Sequence, residues 1–227
     1  MREPLVIAVA QPLCASHEVA ANAKTHAETV RAADARVVVF PELSLTGYEL
    51  DAEVVPVDDP RLEPLVEACA ETGSVALVGA PVPGKHIAML AVDASGVTVA
   101  YKKVNLHGEE TRLFVPGEPV VFTVDGWRLG LAICRDTGVP QHASDTAALG
   151  IDAYVAGVVE DRPDIIAERA QRTATTHEVY VAVSSFAGPT GGGFSDTAAR
   201  SGVWAPDGTL IAFAGTDIGA VARAQLS

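Results

Sequence analysis

An α/β domain made of two sheets, with helices covering their outer faces, is the fold this sequence predicts. Three observations lead there. β-branched runs alternate with helical patterns along the whole chain, strands outnumber helices, and no linker, repeat or low-complexity block interrupts the 227 residues. A chain of this length can bury a large core, so one domain over 1–227 is expected.

The elements follow in order. "LVIAVAQ" reads as a strand, and "HEVAANAKTHAETVRAAD" carries apolar residues at helical spacing. "ARVVVFPE" is a buried strand, and "DPRLEPLVEACAETG" a helix ended by Gly73. Three strands come next, "SVALVGAPV", "HIAMLAVD" and "VTVAYKKVNL", the last two joined by the turn "DASG". A loop rich in Gly, Pro and Glu leads into "PVVFTVDGWRLGLAIC", where "DG" marks a hairpin. "VPQHASDTAALG" is helical, "IDAYVAGVV" a strand, "PDIIAERAQRTATTHE" a helix and "VYVAVSSFAG" a strand. The loop "PTGGGFSDTAA" precedes the hairpin "SGVWAPDGTLIAFAG", and "IGAVARAQL" closes the chain as a strand.

Composition narrows the function classes. Apolar residues make up 48% and charged residues 20%, as in a compact soluble protein. The net charge of −13 repels phosphate backbones and anionic lipid, so nucleic acid and membrane surfaces are not expected as partners. Cys14, Cys69 and Cys134 form no C-x-x-C pair, which fits a reducing compartment rather than a disulfide framework. The N-terminal stretch lacks the basic n-region and long apolar core of a signal peptide, and no run approaches ~20 apolar residues. A cytoplasmic location is expected.

Three predicted strands end in residue types that acyl-transfer chemistry uses: Glu42 after "VVVFP", Lys102 and Lys103 after "VTVAY", and Cys134 after "LGLAI". Strand ends in α/β sheets open onto the crevice that the helices leave free. A thiol attacks as thiolate and needs a base to take its proton, a task a Glu can perform when burial raises its pKa. The oxyanion then needs a cation or fixed N–H donors, available from a lysine and from the amides after Cys134. Each residue also has a plain structural reading: a packed core thiol, a loop or cap glutamate, a solvated lysine pair.

Taken together, these residues resemble the nitrilase, or carbon–nitrogen hydrolase, superfamily. "AVAQP" is similar to its first strand, "VVVFPELSLTGY" to its glutamate block, "YKKVNLHGEETRLFVPGE" to its lysine block and "GWRLGLAICRD" to its cysteine block. "SGVWAPDGTLIA" is similar to its late hairpin, and the blocks fall in the family's order across nearly the whole chain. The resemblance implies a four-layer α-β-β-α sandwich. It implies Glu42 as general base, Cys134 as nucleophile and Lys103, three residues before Leu106, as oxyanion stabiliser. Glu110, seven residues before Gly117, would hold the lysine and position substrate or water, with Tyr48 and Arg135 near the pocket. No metal or organic cofactor is implied, and a homodimer or higher homo-oligomer is.

The chain departs from the family in two places. Asn105 stands where many relatives carry His, and "IDAYVAGVVEDRP" lacks the Pro and Trp that often shape the pocket. Elsewhere, "TGGGFSD" lacks the G-K-[ST] ending of a phosphate cradle and reads as a flexible loop near the pocket. The six His residues show no metal-ligand spacing. His107 is the rival base for the thiol. The implied reaction is hydrolysis of a small amide, ω-amide or N-carbamoyl compound through a Cys thioester, releasing ammonia or an amine. Nitrile hydrolysis at the same site and a catalytically silent metabolite binder are the alternatives.

Overall fold

The first strand, β1 (Leu5–Ala10), sets the layering, because its nearly continuous burial alternates between two cores. Leu5, Ile7 and Val9 enter one apolar core while Ala8 and Ala10 enter another, so both faces of the strand are covered. The structure, a computed structural model, describes residues 2–227. After β1 come helix α1 (Val19–Ala33), β2 (Val37–Val39), α2 (Glu63–Thr72), β3 (Val75–Val82), β4 (His86–Asp93) and β5 (Gly96–Lys102). Next are α3 (Glu110–Leu113), β6 (Val121–Val124), β7 (Trp127–Ile133), α4 (Pro140–Ala148) and β8 (Ala153–Val158). The remaining elements are α5 (Pro163–His177), β9 (Tyr180–Ser185), β10 (Gly202–Trp204), β11 (Leu210–Phe213) and β12 (Val221–Leu226).

Two six-stranded sheets result, in the orders β12-β1-β2-β3-β4-β5 and β11-β10-β9-β8-β7-β6. One core lies between them, filled from one sheet by Leu5, Ile7, Val9 and Leu77 and from the other by Trp127, Leu129, Leu131 and Val155. Small residues face outward: Ala8, Ala76 and Ala80 on one sheet and Ala132 and Ala156 on the other. Their size lets α1 and α2 approach the first sheet, and α5 the second. The four-layer sandwich expected from the sequence is the fold observed. The predicted "DG" hairpin is the β6–β7 pair, with Val124 opposite Trp127.

Direction of travel decides where the site forms. Strands β1, β2 and β3 run parallel, as do β7, β8 and β9. Two antiparallel steps, β3 to β4 and β4 to β5, bring β5 back to the direction of β3. The C-terminal ends of β2, β5, β7 and β8 can thus open on one edge of the sandwich. That edge is cross-braced, because the Ser184 hydroxyl on β9 donates to the Ala10 carbonyl on β1 at 2.7 Å. Among the described residues, no helix is long and apolar enough to cross a membrane.

One core group is titratable. His26 on α1 is fully buried and stacks on Phe40, with ring centroids 4.1 Å apart. Neither ring nitrogen has a hydrogen-bond partner among the described residues. Burial lowers its pKa to about 3. Below pH 6.5 the unfolded chain therefore takes up a proton that the folded chain refuses, and stability falls by ~1.4 kcal/mol per pH unit. Urea unfolding at pH 7 and pH 5 checks this: His26→Phe keeps the stack and should lose about 2 kcal/mol less than the parent over that interval. An identical loss in both proteins would rule it out.

Candidate active site

Three strand ends converge, each by a different local device. Glu42 lies three residues beyond β2, where Pro41 fixes its own φ and Leu43 takes the left-handed conformation (φ 51°). Two glycines make room for this turn. A Cβ at Gly157 on β8 would lie 2.5 Å from the Phe40 carbonyl oxygen and 3.1 Å from the Glu42 nitrogen. A Cβ at Gly79 on β3 would run into the Leu43 nitrogen and the Pro41 carbonyl. With bare backbone on both sides, the Glu42 segment sinks between the sheets.

Lys103 is turned inward by a β-bulge. Along β5, Val97 and Val99 pair with Val92 and Leu90, whose side chains belong to the outer core. The register then shifts so that Ala100 is the extra residue and Tyr101 pairs with Met89, which faces the core between the sheets. One inserted residue reverses the alternation. Tyr101 and Lys103 consequently point between the sheets and are 1% exposed, while Lys102 is partly exposed.

Cys134 follows β7 and begins a 3₁₀ turn, Cys134–Gly138. Its φ of 43° is uncommon for a residue with a side chain and holds it on a sharp elbow. Asp136, fully buried in that turn, secures it. Its carboxylate accepts from the Ile133 amide at 2.9 Å, the Tyr101 hydroxyl at 2.7 Å and the Asn105 amide and side chain at 2.7 and 2.9 Å. The lysine strand and the cysteine turn thereby share one acceptor. Asn105, the departure noted in the sequence, supplies two of its four donors.

The ionic centre is compact. Lys103 Nζ donates to Glu42 Oε1 at 2.7 Å and to both oxygens of Glu110 at 2.7 and 2.8 Å. Glu110 sits on α3, a single turn inside the segment expected to be loop, and also accepts from the Tyr48 hydroxyl and the His107 amide at 2.8 and 2.9 Å. Burial raises the Glu42 pKa to about 7, with Lys103 opposing and Glu110 reinforcing the rise. Burial alone would push Lys103 down, but the charges of Glu42, Cys134 and Glu110 outweigh it and hold the ammonium above its ordinary range. Burial, with the Glu42 charge, pushes the Cys134 thiol up. That thiol is close enough to influence Glu42, yet it donates to the Val159 carbonyl at 3.2 Å. Glu42 Oε2 is buried with no hydrogen-bond partner among the described residues. A neutral thiol thus stands beside a carboxylate able to take its proton, with a fixed cation next to both.

These groups open into a cleft of about 240 Å³ lined by Tyr48, Lys103, Glu110, Cys134 and Arg135, among others. Tyr48, Lys103, Glu110, Cys134 and Arg135 therefore reach one place, with Glu42 bonded to Lys103 behind them, while the bulge turns Lys102 to the other face. His107 lines the cleft, but among the described residues its ring makes no hydrogen bond to Cys134. Sequence reasoning missed Val159, Glu160 and Arg162 in the stretch after β8, Arg169 on α5 and Phe194 in the glycine-rich loop, three separate segments with no shared spacing. The glycine-rich loop supplies Phe194, whose ring meets Tyr48 edge-on at 5.5 Å. Gly192 in that loop has φ 64° and lies so close to Tyr48 that a Cβ would stand 2.6 Å from its ring.

Comparison with known proteins identifies the family and the fold. The family described as carbon-nitrogen hydrolase matches residues 6–227. A protein named "Hydrolase in pqqF 5'region" from Pseudomonas protegens is 31% identical over 86% of this chain and 73% of its own length. An (R)-stereoselective amidase from a Pseudomonas species is 30% identical over 55% of this chain, which spans about half, 48%, of that enzyme. Among solved structures, a mutant of the amidase from Nesterenkonia sp. AN1 in complex with butyramide superposes with a TM-score of 0.86 at 22% identity, covering 98% of this chain and 90% of that one.

Two outcomes follow from the geometry. Cys134 is partly exposed and lies beside Glu42, which can take its proton, whereas Cys14 and Cys69 are buried with no such base beside them among the described residues. Iodoacetamide at neutral pH, read by peptide mapping, should label Cys134 at least about tenfold faster than either; equal, slow labelling of all three would contradict the assignment. Gly157→Ala should cost about 1–3 kcal/mol in urea unfolding, because the clash is with backbone and cannot be relieved by a rotamer.

Proposed function

The chain belongs to the carbon-nitrogen hydrolase family, and from that premise we propose that it is an amidase-type enzyme whose nucleophile is Cys134. The observation that carries the proposal is the buried Glu42–Lys103–Glu110 cluster beside the only partly exposed thiol. Ion clusters of this kind, with pKa values driven away from their ordinary ranges inside a cleft, mark catalytic sites more often than structural ones.

In the proposed reaction, Glu42 takes the thiol proton as Cys134 attacks the carbonyl carbon of a small amide. The developing oxyanion meets the Lys103 ammonium and the backbone amide that follows Cys134 at the start of the 3₁₀ turn. Glu42 then passes its proton to the departing nitrogen, which leaves as ammonia or an amine, and a thioester remains on Cys134. Water gives up a proton to Glu42, attacks the thioester carbon and releases the acid, and the proton returns to sulfur. Glu110 takes no proton in this scheme. It is a positioning residue that keeps Lys103 aimed, while the Tyr48 hydroxyl keeps Glu110 aimed in turn. The cleft's modest volume suits a substrate of few heavy atoms, as does the butyramide held by the Nesterenkonia amidase of the same fold. A reducing cytoplasm would keep the nucleophile as a thiol.

Ammonia release from short aliphatic amides tests the reading. Cys134→Ala and Lys103→Met should each lower kcat by about 1,000-fold or more, and Glu42→Gln similarly, with circular dichroism confirming that each variant folds. Glu42 must be ionised to act, so kcat/KM should rise from pH 6 to pH 8 with a midpoint near 7, the value burial gives it. Full activity in Cys134→Ala would end the proposal.

A further inference from the structure

We propose that the cleft selects amides whose far end carries a carboxylate, and that Arg162 and Arg135 recognise it. The inference rests on the amidase reading above and adds the substrate's charge. The chain as a whole is acidic, with a net charge of −13 and only 16 lysines and arginines in 227 residues. Three of its arginines, Arg135, Arg162 and Arg169, nonetheless line this one small cleft. Against them stands a single carboxylate outside the Lys103 cluster, Glu160.

The pairing within this group is decisive. Glu160 is already engaged: its carboxylate lies 3.4 Å from Arg169 Nη1 and accepts from the Arg162 backbone amide at 3.2 Å. Arg169 is further confined, with its guanidinium packed against Gly138 and 3.5 Å from the Thr137 hydroxyl. The guanidinium groups of Arg135 and Arg162 have no ion-pair or hydrogen-bond partner among the described residues. Asp136 and Asp161, their acidic neighbours along the chain, do not line the cleft. The mouth therefore offers two uncommitted guanidiniums, while the cluster at its floor has two carboxylates around one ammonium.

An anion at the mouth has two further consequences. A guanidinium matches a carboxylate with paired N–H donors, giving orientation as well as attraction. A substrate with charge only at its far end also leaves an uncharged carbonyl facing Cys134, where a carboxylate would be repelled by Glu42 and Glu110. The acid product has a carboxylate at both ends, so the floor favours its release. Binding at the mouth and expulsion at the floor thus act in the same direction.

Three amides of similar length separate the possibilities: succinamate, its uncharged counterpart 4-methylpentanamide and cationic 4-aminobutanamide. The expected order of kcat/KM is succinamate first by at least tenfold, with the cationic amide last and the differences chiefly in KM. In Arg162→Gln and in Arg135→Gln the ratio of succinamate to 4-methylpentanamide should fall at least fivefold, and the double variant should bring it close to one. Calorimetry on the Cys134→Ala protein gives a reading that needs no turnover: succinamate should bind at least tenfold more tightly than 4-methylpentanamide. That preference without turnover by the parent would sink the catalytic proposal and leave this one standing. Turnover or binding with no preference for the anion, or a ratio unmoved by the double variant, overturns it.

Discussion

A single buried ammonium constrains everything around the candidate site. Lys103 is 1% exposed, and an isolated charge at such a place would cost several kcal/mol in lost hydration. Three short hydrogen bonds to Glu42 and Glu110 make the burial tolerable, but the remedy is itself costly. Burial lifts the Glu42 pKa to about 7, with the Lys103 charge opposing the rise and the charge of Glu110, the second carboxylate around the one cation, reinforcing it. The property required of a base for a thiol is thus produced by the same burial that the lysine imposes. Structure and chemistry here share one cause.

Local sequence cannot assemble this cluster. Lys103 lies 61 residues from Glu42, and the two belong to strands separated by β3 and β4 in the sheet order. The lysine reaches inward only because β5 contains a bulge, and the glutamate only because Gly79 and Gly157 offer no Cβ to the backbone that carries it. In β5 the register shift falls just before the residue that turns inward. Leu43 and Cys134 are two of the nine non-glycine residues with positive φ among the described residues, and both stand at the strand ends that form the cluster. Strain of order 1–3 kcal/mol per residue persists only where the surrounding packing fixes the chain. Here that packing is a core between two sheets.

This division explains what the sequence disclosed. Long runs such as "SVALVGAPV" and "PDIIAERAQRTATTHE" announce their type because burial on both faces or on one stripe leaves a period in the residues, and the strands and helices formed where that period lies. Glu42 and Cys134 were legible because each terminates such a run. The choice between Lys102 and Lys103 was not legible from alternation: carrying Val97 and Val99 forward points Lys103 at the outer face, and a one-residue bulge in "VTVAYKK" leaves no mark in a single sequence. The resemblance to a family pointed to the lysine that lies in the buried cluster, where periodicity would have pointed to its neighbour. Helix α3 was invisible because four residues are barely one turn. Arg162, Arg169 and Phe194 were invisible because a cleft wall assembled from distant segments has no spacing at all.

Asn105 shows how a departure from a family pattern can be absorbed. The position follows the lysine by two residues, and its contribution is a pair of donors, backbone and side chain, to one oxygen of Asp136. The second oxygen of that carboxylate takes the Tyr101 hydroxyl and the Ile133 amide. Asp136 is therefore saturated by neutral groups from both sheets, and the separation between the lysine strand and the cysteine elbow is set without any bond between Lys103 and Cys134 themselves. The arrangement leaves the thiol free to exchange partners. It is held in the resting protein by a carbonyl, that of Val159, and a carbonyl cannot accept the proton outright. The unpartnered oxygen of Glu42 can. In the proposed mechanism, a nucleophile tied firmly to its base or its cation would have to break that tie before attacking, whereas Cys134, positioned by a neutral scaffold behind it, has only to turn.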